Sequence, residues 1–380
     1  MKSSGSLRIA YKLLVNDRAK FSALLIGITF AVFLMVQMTS MFAGVLFRSS
    51  ATVVNVGASM WVMDPAVNNA ISSIPVPDYL LDAVRSIDGV KYAVPLYSGG
   101  GLVKLPDGAY QAVTILGLDD TSLVGRPEME QGSIEDIYSD NAFLVVHDAE
   151  FSKLGNPKVG DEFELNDNRI RIVGIAKVAS SGLFGVPTLY TTYSRAIQDL
   201  PGGRFTLSYI LVEPKTPADI PHIKAEVDKL GYLAVTAQDF QQRISDFYKY
   251  KTGVGMNILM MVLISFVVGL SISAQTFFSF ILENLDKFGA LKAIGAKNRT
   301  LVSMILFQAL FTALTGYGLG VGISSLFIAV ARLRMPDYAA MITLDNLVIA
   351  FGVGMLIAGI SGYIGIRRVL RIEPFDIFRS

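Results

Sequence analysis

Residues Val254–Leu282 read VGMNILMMVLISFVVGLSISAQTFFSFIL, without one ionisable side chain. A helix needs roughly 20 apolar residues to cross the hydrocarbon core of a bilayer, so this stretch is long enough to be a membrane span. Three more stretches of the same kind lie around it: Phe21–Phe47, Leu301–Ala331 and Ile342–Ile366. The first has Gln37 as its main polar intrusion, and no ionised side chain is expected inside any span, which argues against a proton relay or ion pathway. Between the first and second spans lie about 200 residues of ordinary globular composition, the size of one or two domains. The pattern is one span, a large extramembrane body, then three spans in quick succession, and it marks an integral membrane protein.

Basic residues beside the spans set the orientation. The N-terminal segment, residues 1–20, carries Lys2, Arg8, Lys12, Arg18 and Lys20 against the single acid Asp17. The link at 283–300 carries Lys287, Lys292, Lys297 and Arg299, and the tail at 367–380 carries Arg367, Arg368, Arg371 and Arg379. Only Arg332 and Arg334 stand between the third and fourth spans. The positive-inside rule therefore predicts both termini and the 283–300 link to be cytoplasmic, and residues 48–251 to be outside. A cleaved signal peptide fits the first span poorly, because its apolar run is about twice the usual length and Arg48 is followed by a poor cleavage site. Leu7, Ala10, Tyr11 and Leu14 recur at helical spacing, so an amphipathic helix along the inner membrane surface is expected over residues 1–20.

The outer segment reads as α+β. Val53–Met63 is β-rich, a helix is expected over Tyr79–Ile87 up to Gly89, and a strand over Val90–Tyr97. The same order returns as strand Leu207–Val212, helix Ala218–Leu230 and strand Tyr232–Thr236. Two β-α-β units held apart by an insertion make a split, ferredoxin-like subdomain. The insertion is mostly β, with hairpins expected about Pro106-Asp107-Gly108 and Asn166-Asp167-Asn168. After it, Phe240, Ile244, Phe247 and Tyr248 share a helical face, so Asp239–Lys251 is expected to run on into the second span as a stalk.

Chemistry is conspicuously absent. The net charge is +1, which gives no electrostatic footprint for nucleic acid, and no cysteine is present to form disulfides. His147 and His222 stand far apart with no second ligand at metal spacing, so neither reads as a metal ligand. No nucleophile elbow or zinc-protease motif occurs. Gly289–Lys297 imitates a phosphate loop, but its glycines are one residue too far apart and Ala296 separates Gly295 from Lys297. No ATP site, catalytic residue, cofactor or metal is therefore assigned to this chain. In the second span Ser273, Gln275 and Thr276 are polar; interhelical or backbone hydrogen bonds are the first reading, and a substrate path along Gln275 and Thr276 is the alternative. Gly316, Gly318, Gly320 and Gly322 form two overlapping small-xxx-small pairs in the third span, the pattern of close helix packing.

The link Glu283-Asn284-Leu285-Asp286-Lys287-Phe288-Gly289-Ala290-Leu291-Lys292-Ala293-Ile294-Gly295-Ala296 resembles the signature of the FtsX-like, or MacB-type, permeases of ABC transporters. The tail Arg371-Ile372-Glu373-Pro374-Phe375-Asp376-Ile377-Phe378-Arg379 is similar to the family's closing motif, with Phe378 where leucine is usual. Leu7–Leu14 is similar to its opening helix, and the length also resembles the DevC-type permeases. The resemblance implies a non-catalytic subunit of the inner membrane that works as a homodimer. A separate ATPase subunit, which uses ATP and Mg, would dock on a short coupling helix through Glu283, Lys287, Phe288, Gly289, Leu291, Lys292, Gly295 and Ala296. Exporters of this kind engage a membrane-fusion protein and an outer-membrane channel. The alternative is an FtsX-like mechanical signalling protein that regulates a cell-wall hydrolase or sensor. The cargo is not legible, since an apolar stretch faces lipid, a partner helix or a substrate with the same residues.

Overall fold

The computed structural model describes residues 3–70, 73–180, 182, 185–198, 206–335 and 338–370. The tail motif Arg371–Arg379 lies outside the described residues. The chain divides into two compact units, residues 1–44 with 254–380, and residues 45–253.

In chain order the elements begin with helices α1 (Ser3–Asn16), α2 (Arg18–Ser49) and α3 (Ala51–Val56). Strands β1 (Met60–Met63) and β2 (Val76–Pro77), helix α4 (Tyr79–Arg85), and strands β3 (Val90–Lys104), β4 (Tyr110–Leu118), β5 (Glu128–Gln131), β6 (Ala142–Val146), β7 (Glu162–Leu165), β8 (Asn168–Lys177) and β9 (Thr188–Thr192) follow. Helix α5 (Tyr193–Gln198), strands β10 (Thr206–Leu207) and β11 (Tyr209–Pro214), helix α6 (Ile220–Lys229), strand β12 (Leu233–Thr236) and helix α7 (Ala237–Asp246) complete the body. Helices α8 (Gly253–Glu283), α9 (Leu285–Ala293), α10 (Asn298–Arg334) and α11 (Leu344–Leu370) close the chain.

Four helices, α2, α8, α10 and α11, are long and apolar enough to cross a membrane, as the hydropathy predicts. Asp345 falls inside the Ile342–Ile366 range read as the fourth span. The helix itself begins at Leu344, where the Thr343 hydroxyl accepts from the Asn346 amide at 3.3 Å, and Asp345 sits in its first turn. A carboxylate there favours the helix dipole and lies at the edge of the span rather than within it. Gln37 is explained by a partner: its amide donates to the Tyr338 hydroxyl in the α10–α11 link. The same link is held to α2 by the Met341 amide, which donates to the Ser40 carbonyl at 2.8 Å. Helix α1 packs on α10 through the buried residues Ala10 and Leu14, and the partly exposed Tyr11 sets its ring edge-on to Phe311 of α10 at 5.3 Å.

In residues 45–253, strands β12-β1-β11-β3 lie side by side in that order, each antiparallel to its neighbour. With α4 between β1 and β3 and α6 between β11 and β12, this is the split ferredoxin-like arrangement, and the insertion leaves between β3 and β11. Alternation sends Met60, Val62, Ile210 and Val212 into one core with α4 and α6, and Trp61, Met63, Tyr209 and Leu211 into another. Helices α3 and α7 cover that second face. This corrects two expectations. Val53–Met63 is not a continuous strand: Ala51, Val53 and Val56 are buried on one side of a short helix ended by Gly57 at φ 64°. Packing overrides the β preference of valine there. The segment after Thr236 is not an unbroken stalk either. Its Phe240, Ile244 and Tyr248 are spent on the core around Trp61, the turn at Phe247–Lys251 is π-helical, and Thr252 is extended at ψ 160° before α8 starts.

The insertion closes on itself. Strand β3 continues past the ferredoxin-like sheet to pair with β4, and the order β3-β4-β9-β6-β8-β7 returns to β3 through Val103↔Leu165 and Lys104↔Glu164. Both predicted hairpins are present. Gly108 takes φ 84° between β3 and β4, and Asn166 and Asp167 take φ 48° and 67° between β7 and β8, the two left-handed residues of a primed turn.

Candidate functional site

The segment on which the sequence concentrates its signal is the α8–α10 connection. Helix α9 begins after Asn284, which is buried and donates to the Phe280 carbonyl at 2.8 Å while Lys287 Nζ donates to its side-chain oxygen at 2.8 Å. It ends in a Schellman turn. The Gly295 amide donates to the Lys292 carbonyl at 3.0 Å and the Ala296 amide to the Leu291 carbonyl at 2.9 Å, with Gly295 at φ 97°. A β-carbon is strained in that conformation, which is why glycine stands there. The turn leaves Ile294 at its apex, 84% exposed.

The faces of α9 are distributed differently from the expected contact set. Phe288 has no exposure at all; it is packed in the helical core with Leu14, Phe277, Phe280, Ile281 and Leu301. Gly289 is buried and Leu291 and Lys292 are half-buried, with Leu291 on the same core. Phe288 is therefore not a free apolar anchor, and this corrects its assignment to a docking surface. Its burial is worth about 1.5–3 kcal/mol to the bundle itself. The exposed face comprises Glu283, Asp286, Lys287, Ala290, Ala293 and Ile294, with Gly295 exposed and Ala296 half-buried. Glu283 also pairs with Lys20 at the start of α2. Ile294 was absent from the expected contacts, although the Ile-Gly order already placed it at the tip of a glycine-ended turn.

The glycines of α10 separate by face. A β-carbon on Gly316 would stand 2.7 Å from Ile28 Cγ2, and one on Gly320 would stand 2.7 Å from Val32 Cγ1 and 2.9 Å from the Thr29 carbonyl oxygen. Both lie against α2. Gly318 and Gly322 are exposed, with open space where a β-carbon would go. Gln308, fully buried on the inner side of α10, donates to the Ala10 carbonyl at 2.9 Å and so ties α1 to the bundle. Sequence reasoning did not single it out. In α8, Thr276 donates to the Ile272 carbonyl of its own helix at 2.8 Å and Gln275 is exposed, whereas Ser273 is buried. The structure does not bring Gln275 and Thr276 onto one buried path. His147 is bonded to Glu130 at 2.7 Å and His222 is exposed; among the described residues no group of three His, Cys, Asp or Glu could hold a metal.

Four bilayer-length helices with a large folded body between the first two define a polytopic membrane subunit. Comparison with known proteins specifies the kind. The family of the MacB-like periplasmic core domain matches residues 22–230, more than half of the chain, and that of the FtsX-like permease C-terminal domain matches residues 258–374. The chain belongs to the FtsX-like, MacB-type permeases of ABC transporters. An uncharacterised ABC transporter permease of Mycobacterium tuberculosis is 26% identical over 350 residues, 92% of this chain and 91% of that protein. The macrolide export ATP-binding/permease protein MacB of Campylobacter fetus is 21% identical over 319 residues, 80% of this chain and 49% of that protein. The chain thus spans about half the length of that MacB relative. Among solved structures, the periplasmic region of MacB from Actinobacillus actinomycetemcomitans aligns with a TM-score of 0.38 and 12% identity, over 50% of this chain and 93% of that one. The extracellular domain of YknZ from Gram-positive bacteria aligns at 0.36 and 13%, over 47% and 98%.

Proposed function

We propose that this chain is the permease subunit of an ABC exporter of the mechanotransmission type. ATP hydrolysis on a separate ATPase subunit, which holds the nucleotide and Mg, moves the outer body formed by residues 45–253 and drives efflux. The chain works as a homodimer in the inner membrane with both termini cytoplasmic, and a membrane-fusion protein leading to an outer-membrane channel takes the cargo on. Permease homology supports the class. The observation that carries the coupling is the α9 turn, where an 84% exposed isoleucine stands at the glycine-ended tip of a short helix whose exposed face also carries Asp286 and Lys287. An apolar anchor rimmed by charges is the anatomy of a compact protein interface.

The test is a pair of substitutions. Ile294→Asp removes the anchor and places a charge in the contact, so ATPase binding should weaken by about 2 kcal/mol or more, roughly thirtyfold, with the melting temperature unchanged. Phe288→Ala should do the reverse, lowering stability by about 3–5 kcal/mol as a core truncation. Wild-type copurification and ATPase coupling in Ile294→Asp would refute the docking role of this turn.

A further inference from the structure

The outer body is gripped at two places by the chain leaving the first span. Glu150 lies between β6 and β7 and has no exposure. Its carboxylate lies 2.6 Å from Lys153 Nζ and 3.9 Å from Arg48 Nη1, and Arg48 is on the last turn of α2. Lys153 also donates to the Gly185 carbonyl at 3.0 Å, and Asp148 accepts from the Glu150 amide at 2.9 Å. A carboxylate this deeply buried is tolerable only with its cations in place, so Arg48 and Lys153 are held where they are. The second grip is neutral. Asn55 of α3 donates to the Ser180 carbonyl at 2.7 Å and accepts from the Ser180 amide at 3.0 Å, engaging the chain just after β8 as a neighbouring strand would. Arg48 and Asn55 thus hold two separate segments of the closed β insertion.

The connection to the second span has the opposite character. Helix α7 is packed on the ferredoxin-like sheet, and the chain then passes through a π-helical turn and the extended residue Thr252 before α8. Such an interruption bends more readily than a continuous helix. Helix α2, by contrast, is unbroken from Arg18 to Ser49.

We propose that the first span, through Arg48–Glu150 and Asn55–Ser180, is the drive shaft of the β insertion, and that the turn at Phe247–Thr252 is a passive hinge. The inference rests on the ATP-driven motion proposed above and assigns Arg48, Glu150 and Asn55 as positioning residues for it. Fastening the insertion to one span and hinging the other lets a shift of α2 tilt the insertion instead of stretching the body.

The experiment uses the full chain with its ATPase in lipid nanodiscs. Tyr110 lies beside the β3–β4 turn of the insertion and is 62% exposed, so Tyr110→Cys in this cysteine-free chain accepts a spin label. The distance between labels on the two copies is measured nucleotide-free and vanadate-trapped, in the wild-type background and with Glu150→Gln, Asn55→Ala or both. The expected result is a distance change that falls to less than half in the double variant, while ATPase activity persists. Hydrogen exchange at residues 51–56 should quicken about tenfold in Asn55→Ala, as expected for two lost hydrogen bonds. Asn55→Ala strands no charge, so it decides the matter if Glu150→Gln does not fold; an undiminished change in it overturns the inference. A wild-type chain that does not move defeats the ATP-driven reading and this inference with it. A wild-type chain that moves, with variants that move equally, defeats this inference alone.

Discussion

Replacing Gly320 by leucine tests whether the face assignment of α10 is right. At Gly320 the first added carbon would stand 2.7 Å from Val32 Cγ1, 2.8 Å from Val32 Cβ and 2.9 Å from the Thr29 carbonyl oxygen. Two of these neighbours, a backbone oxygen and a β-branched carbon, cannot swing away, so α2 and α10 must part. Relieving the first carbon alone takes most of an ångström, and a gap of that size already forfeits a quarter to a half of each dispersion contact nearby. In a bilayer, packing is the main force between helices, since lipid tails solvate leucine as well as protein does. Overpacking costs about 1–3 kcal/mol. Gly318→Leu is the control: it meets open space and gains about 0.8 kcal/mol of helix propensity. Gly320→Leu gains the same propensity, so the two variants, two residues apart on one helix, should differ by the overpacking cost alone, roughly 1–3 kcal/mol in stability. Thermal unfolding in detergent, followed by far-UV circular dichroism, measures this directly. A Gly318→Leu variant as damaged as Gly320→Leu would refute the assignment of faces.

Two further predictions concern charge and orientation. Asp239 has its carboxyl held below the ordinary value of 3.8, first by the hydrogen bond from Lys224 and then by Thr236, whose capping box starts α7. A depressed folded pKa gives stability that is present above the unfolded value and lost as pH falls through the folded one, so α7 should loosen below about pH 4. Trp61 is the only tryptophan and lies 5.5 Å from Phe240 of α7, so its fluorescence reports the loss. Asp239→Asn should flatten that acid response, and an unaltered response would show that the cap is not its source. For orientation, Ala296→Cys should resist an impermeant maleimide applied to intact cells while Pro106→Cys reacts, and labelling of Ala296→Cys from outside would overturn the topology.

Much of the architecture is legible because it depends on composition or on short-range geometry. The four spans follow from apolar length, which the bilayer fixes whatever the neighbours are. The Asn166-Asp167 turn follows from residues that tolerate positive φ. The split ferredoxin-like order is readable because the strand and helix signals of its two halves each repeat locally, even with the insertion between them. A short helix in the 283–300 link was also legible, but which of its faces is buried was not. Phe288 and Ile294 are both large and apolar, and nothing in the local sequence says which meets the bundle core.

That division has a physical cause. In a soluble amphipathic helix, polar residues mark the outer face; in α8 and α10 nearly every residue is apolar, so the periodicity that reveals a buried face is lost. The sequence by itself determined that these helices span, where their basic flanks lie, and that Gly295 ends α9. Tertiary structure alone decided that Gly316 and Gly320, and not Gly318 and Gly322, lie against α2. It also turned Val53–Val56 into a helix and joined Arg48 to Glu150, residues about a hundred positions apart that no local pattern connects. Local chemistry sets what a segment is able to form; the neighbours that crowd it set which face it buries.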